Sequence, residues 1–174
     1  MNVLIGKCKN KIFPASIDLI LTNNNQAPGL QLESINNIKS YFLNKNEFEI
    51  LAQKKLLEKN IELICLAGFM QILSKNFLDN WQNRIINIHP SYLPEFKGLN
   101  AQKQAIKSKA KYSGCTVHYV NSEIDGGDII LQKKVRIIEK EDIESLSKKI
   151  LKEEHILYPK ALEITVNKIL NKII

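Results

Sequence analysis

Arginine is scarce in this chain. Arg84 and Arg136 are the only two among 25 basic residues, so the net charge of +7 rests on lysine. The lysines are dispersed, as at Lys54, Lys103, Lys133, Lys148 and Lys168, with no basic block interleaved with aromatics. A pI of about 9.2 invites a polyanion partner. The dispersion, together with abundant Ile and Asn, fits a coding bias better, and no nucleic-acid partner is expected. Cysteine is equally sparse: Cys8, Cys65 and Cys115 are far apart and form no CxxC pair, which excludes a disulfide framework and zinc-ligand spacing. No metal is expected. Seven glycines and five prolines exclude collagen-like or linker composition. No apolar run approaches the roughly 18 residues that a membrane span needs; the longest, within Ile61 to Met70, is interrupted by Glu62. The N-terminus lacks a positive segment leading into a long apolar block. These absences lead to the expectation of a cytoplasmic protein with no membrane association.

What remains is ordinary globular material: 174 residues, 44% hydrophobic and 25% charged. That length accommodates one domain with a sizeable core, residues 1–174. Compact apolar runs alternate with helical patterns. Ser16 to Thr22, Ile38 to Leu43, Ile61 to Ala67 and Arg84 to His89 read as strands bounded by Asn, Gly or Pro. Asn46 to Lys59 carries a helical stripe, Ser74 is placed to cap a helix through Trp81, and Ala101 to Lys109 reads as a helix. Gly114 to Asn121 and Asp128 to Val135 form a strand pair, and the pattern is helical from Glu141, with a break or kink at Tyr158-Pro159. The alternation predicts an α/β fold: a mostly parallel sheet covered by helices on both faces, made mixed by an antiparallel pair at one edge. Ligands in such folds sit beyond the carboxyl ends of the strands.

Two clusters at such positions carry candidate chemistry. Asn87 and His89 are two apart at the end of a strand that Pro90 stops, so both project from one face. An amide that can donate to a developing oxyanion then lies beside an imidazole that titrates near neutral pH. The plainer reading is a loop-closing Asn and a His satisfied by backbone groups. The second cluster is Asp125-Gly126-Gly127-Asp128, where the glycines permit φ > 0 and close approach, aiming the Asp125 carboxylate into a cleft. An ordinary hairpin turn reads the same way. His118 either faces that cleft or packs against the sheet.

Longer runs are more specific. NIHPSYLPEFKGLNAQKQAI, beginning at Asn87, and GCTVHYVNSEIDGGDIILQKKV, beginning at Gly114, resemble the phosphoribosylglycinamide formyltransferase family, which performs a folate-dependent step of purine synthesis. LAGFMQIL (Leu66 to Leu73) resembles that family's folate-binding segment, and EEHILYP (Glu153 to Pro159) a further family segment. The resemblance implies a Rossmann-like fold and a catalytic trio of Asn87, His89 and Asp125. It implies 10-formyltetrahydrofolate as co-substrate, held by Met70, Gln71, Ile72, Leu73 and Asn87, with Asn121, Ser122, Glu123, Ile124 and Asp125 closing over its pterin. Lys45 aligns with a family Arg near the formyl folate. His89, Pro90 and Glu154 would meet the other substrate, glycinamide ribonucleotide. Other formyl-folate transferases or hydrolases share the Asn-x-His and Asp-Gly elements, and an inactive relative is a further alternative. The most distant rival is a basic nucleic-acid-binding module. Oligomeric state is left open.

The runs depart from the family at the start. The family opens with a strand, a glycine- and serine-rich phosphate loop, and a helix. Here Met1 to Lys9 matches that helix, so the expectation is a domain truncated at its N-terminus, lacking a strand of the sheet and the phosphate loop. Gln71 replaces a basic residue, Lys97 stands where Pro is commoner, and Asn100 and Gln102 replace histidines. A final hairpin of the family is absent.

Overall fold

The computed structural model describes residues 1–31 and 37–174. Helix α1 (Asn2–Cys8) is followed by strand β1 (Leu19–Thr22), a 3₁₀ turn at Pro28–Gln31, and β2 (Lys39–Phe42). A second 3₁₀ turn, Lys45–Glu47, leads into α2 (Phe48–Glu58). Then come β3 (Ile64–Leu66), α3 (Lys75–Asn80), β4 (Ile85–His89), α4 (Ala101–Lys107), β5 (Tyr112–Tyr119), β6 (Ile129–Arg136) and α5 (Ile143–Leu170).

The strands form two sheets. β1 and β2 pair in parallel, Leu19 opposite Lys39. The other sheet has the order β3-β4-β5-β6. β3 and β4 are parallel, whereas β5 runs antiparallel to both β4 and β6. The expected α/β architecture with an antiparallel edge is therefore present. The single continuous sheet is not, because β1 and β3 do not pair and a cleft lies between them.

Consecutive residues of β4 show how both faces of the larger sheet are covered. Ile85 and Ile86 are fully buried, and alternation sends them to opposite faces. Ile86 joins Cys115, Val117, Leu146, Ile150 and Leu162 beneath α5. Ile85 joins Phe48, Ala52, Leu56, Phe77 and Trp81 beneath α2 and α3. Each such side chain contributes about 1.5–3 kcal/mol by leaving water. Helix α3 starts as expected at Ser74, whose hydroxyl accepts from the Phe77 N–H. Trp81, at its other end, donates its indole N–H to Gln53 across 2.7 Å, so a large buried ring has its one polar atom satisfied.

Of the break or kink that the sequence suggests at Tyr158-Pro159, the break is absent. α5 runs unbroken through Pro159. Proline removes one helical N–H, but the flanking residues Tyr158, Ala161 and Leu162 are all buried, and their packing holds the helix together across it. The Tyr158 hydroxyl lies 2.7 Å from the Leu66 carbonyl and 3.1 Å from that of Ile86, and its one hydrogen, shared between them, ties the helix to β3 and β4 where the candidate site begins.

Candidate active site

β4 ends at His89, and β5 pairs with it so that Asn87 lies opposite His118 and His89 opposite Thr116. The connection 120–128 folds back over this face and delivers Asp125 to both histidines. Asp125 Oδ2 lies 3.2 Å from His89 Nδ1, and Oδ1 lies 3.5 Å from His118 Nε2. The Gly98 N–H donates to Oδ2 across 2.8 Å. His89 and His118 are both buried. Burial pushes the Asp125 carboxyl up, but hydrogen bonding with His118 and Gly98, together with the histidine charges, outweighs it and holds the group below the usual carboxylate range.

The glycines of this loop act differently from the expectation. The positive φ falls on Asp125 itself, at 47°. Gly126 and Gly127 serve close approach: a Cβ on Gly127 would lie 1.9 Å from the Tyr119 carbonyl oxygen, and one on Gly126 would lie 2.5 Å from Glu123 Cβ. This is not a two-residue hairpin turn. It is a long connection folded tightly enough to put a carboxylate between two imidazoles.

The trio has two partners: His118, which the sequence leaves between this cleft and the sheet, and Phe96, to which the sequence does not point. His118 Nδ1 faces the Tyr119 carbonyl at 2.8 Å and so carries a hydrogen. Its Nε2 lies 3.3 Å from Asn87 Nδ2. The same nitrogen faces Asp125 Oδ1, so the contact orients the Asn87 amide beside the carboxylate, and the amide keeps an N–H for another acceptor. The other partner is the Phe96 carbonyl, 2.9 Å from His89 Nε2. Both ring nitrogens of His89 thus face acceptors, an arrangement that imidazolium satisfies in full. Phe96 holds this carbonyl from a left-handed backbone (φ 56°), a conformation costly for a bulky residue. The strand periodicity locates Asn87 and His89 and leaves His118 a candidate that the cross-strand register settles, whereas nothing local signals Phe96, whose role comes from loop folding.

The sequence matches the formyl transferase family over residues 1–162. The chain belongs to that family. Phosphoribosylglycinamide formyltransferase of Bacillus subtilis is 34% identical over 166 residues, covering 92% of this chain and 85% of that protein. The crystal structure of phosphoribosylglycinamide formyltransferase from Anaplasma phagocytophilum superposes with a TM-score of 0.90 at 40% identity, covering 95% of this chain and 80% of that one. The trifunctional purine biosynthetic protein adenosine-3 of Chironomus tentans is 38% identical over 169 residues, and there the chain spans only 12% of the relative's length.

In this chain the other expected residues are distributed around the trio unevenly. The segment after β3 exposes Met70 and Ile72, whereas Leu73 is buried among Leu43, Phe48 and Phe77 and offers a ligand only its backbone. Gln71 accepts from the Asn23 side chain across 3.1 Å, tying the ends of β3 and β1 together. Ile124 is exposed on the 120–128 connection, along with Asn121, Ser122 and Glu123. Lys45 is exposed just beyond β2. Pro90 follows directly on His89, at the carboxyl end of β4. Glu154, on α5, lies instead in the cleft between the sheets. Burial pushes its carboxyl up to about 7, against a lowering by the N-terminal ammonium. Among the described residues there is no group of three or more His, Cys, Asp or Glu placed to hold a metal ion, and no helix is long and apolar enough to cross a membrane.

Proposed function

We propose that this chain transfers the formyl group of 10-formyltetrahydrofolate to the amine of N1-(5-phosphoribosyl)glycinamide, a step of purine biosynthesis in the cytoplasm. The observation that carries the reading is the Asn87–His89–Asp125 cluster, assembled at a strand's carboxyl end with every buried polar group oriented by a named partner. A folate co-substrate fits the donor set. Met70, Ile72 and Ile124 present apolar side chains to solvent, available to a flat ring, and the polar residues 121–123 directly precede Ile124.

The chain's contribution is electrostatic. As the amine nitrogen bonds to the formyl carbon, negative charge builds on the formyl oxygen. The free N–H of Asn87 donates to that oxygen, and the His89 imidazolium stabilises it through its charge. Asp125, held against His89 Nδ1, is the carboxylate through which the proton lost by the amine moves toward N10 of the departing folate. No bond to the enzyme forms.

The test is donor turnover by the purified chain, with and without the ribonucleotide. Formyl-folate consumption that requires glycinamide ribonucleotide supports the transferase. Consumption without it identifies a hydrolase. Independently, a formyl-folate analogue at about 100 times its dissociation constant raises unfolding free energy by about 2.7 kcal/mol if the folate surface is assembled.

A further inference from the structure

The loop that follows β4 divides its backbone groups between the site and helix α4. Phe96 turns its carbonyl to His89 Nε2 (2.9 Å), and Gly98 turns its N–H to Asp125 Oδ2 (2.8 Å). The alternate carbonyls, those of Lys97 and Leu99, go to a different partner. Both are taken by one side chain, Gln104 of α4, whose Nε2 lies 3.0 Å from the first and 2.9 Å from the second. The orientation of that amide follows from chemistry: carbonyls only accept, so the side-chain nitrogen must face them.

These bonds are not a helix cap. The open groups at the start of a helix are N–H donors, which need an acceptor, whereas Gln104 contributes two donors. Asn100, at the cap position, makes no side-chain capping bond either. Burial does not demand the bonds, because Gln104 is exposed. What they fix is the path of the loop, where Gly98 adopts a left-handed backbone with φ of 74°.

One peptide unit carries the connection to the site. The Lys97 carbonyl and the Gly98 N–H belong to the same rigid plane. Gln104 donates at one end of that plane, and Asp125 accepts at the other. An amide polarised at its oxygen is a better donor at its nitrogen, so the two bonds strengthen one another. The Gly98 bond is among the influences that hold the Asp125 carboxyl low.

We propose that Gln104 is a positioning residue for formyl transfer, holding the Lys97–Gly98 peptide so that the Gly98 N–H orients the Asp125 carboxylate against His89. This rests on the transferase reading and adds to it a residue that acts through Asp125.

The test uses Gln104→Met, which keeps side-chain length and helix propensity, adds no charge and removes both donors. The first readout is the Gly98 amide proton resonance, followed by NMR against pH, which reports its bond to Asp125. In the variant it moves upfield, and its titration midpoint rises as the carboxylate loses support. His89 and His118, which face Asp125, and Lys97 and Glu123, which flank it, are the same in both chains. The second readout is turnover, where kcat falls about three- to tenfold with both KM values unchanged. An unmoved Gly98 resonance overturns the proposal, as does an unchanged kcat or a loss confined to KM. A chain that transfers no formyl group even unsubstituted defeats the transferase reading and with it the catalytic role. The Gly98 resonance still decides, in that event, whether Gln104 holds the peptide against Asp125.

Discussion

The two ends of the sheet system are stabilised by different means. Around β4 and β5, polar groups are buried and matched: His89 with Asp125 and Phe96, His118 with Tyr119 and Asn87, Tyr158 with two carbonyls. Around β1 and β3 the contacts are mostly apolar, crossed by the Asn23–Gln71 bond, and burial is the largest influence on the Glu154 carboxyl, the N-terminal ammonium and the Cys65 thiol. A polar network in a closed core defines geometry to within a hydrogen bond, whereas an apolar cleft defines only which surfaces avoid water. The catalytic chemistry proposed above belongs to the first region.

The largest expected contrast is in activity. Asp125→Asn keeps the shape but removes the charge opposite His89, and turnover falls by about 10²–10⁴-fold while thermal unfolding stays cooperative. Turnover within a few-fold of the unsubstituted chain would remove Asp125 from the mechanism.

Next in size is the response of the two apolar environments to truncation. Ile86→Ala, beneath α5, costs about 2–5 kcal/mol. Ile20→Ala, beside the open cleft, costs less because its surroundings can close over the lost volume; both are read from denaturant midpoints. Equal losses would mean that the cleft is as rigid as the closed core.

The two regions also respond to pH with opposite sign. The Asp125 carboxyl is lowered in the folded state, so its contribution is fully present above the ordinary carboxylate value and is lost as pH falls through the folded value, in the acid range below about 4. The Glu154 carboxyl is raised to about 7, so the folded state binds the extra proton. Its contribution is present below about 4.5 and is lost as pH rises toward 7, on the order of 2 kcal/mol. Glu154→Gln flattens stability between pH 4.5 and 7 and leaves the acid limb intact. A slope unchanged by that substitution would place the titrating group elsewhere.

The smallest effect is local. Ser74→Ala removes the cap of α3 and the hydroxyl's hydrogen bond to Glu49, lowering stability by about 1 kcal/mol without altering turnover.

Features set by short-range chemistry were legible in the sequence. Ser74 announces its cap, Asn87 and His89 announce a shared face, and α1 follows from the family resemblance of Met1 to Lys9. Features set by distant partners were not. Whether β1 pairs with β3 depends on what lies between them, and the persistence of α5 through Pro159 depends on the sheet beneath it. The glycines after Asp125 were visible, but their purpose, a backbone passing under 2 Å from where a side chain would begin, depends on Tyr119 of another strand.

The alternation along β4 has a consequence for how this sequence can change. Ile85 and Ile86 belong to different clusters, and Asn87 and His89 share one face. Deleting a single residue between Arg84 and Ile88 exchanges the faces of all that follow or precede it, drawing one isoleucine out of its cluster or turning the amide away from the imidazole. Between Trp81 and Pro90, therefore, the chain tolerates replacement far better than a change in length. The 120–128 connection is similarly fixed in length on both sides of Asp125, unlike the exposed loop 9–12.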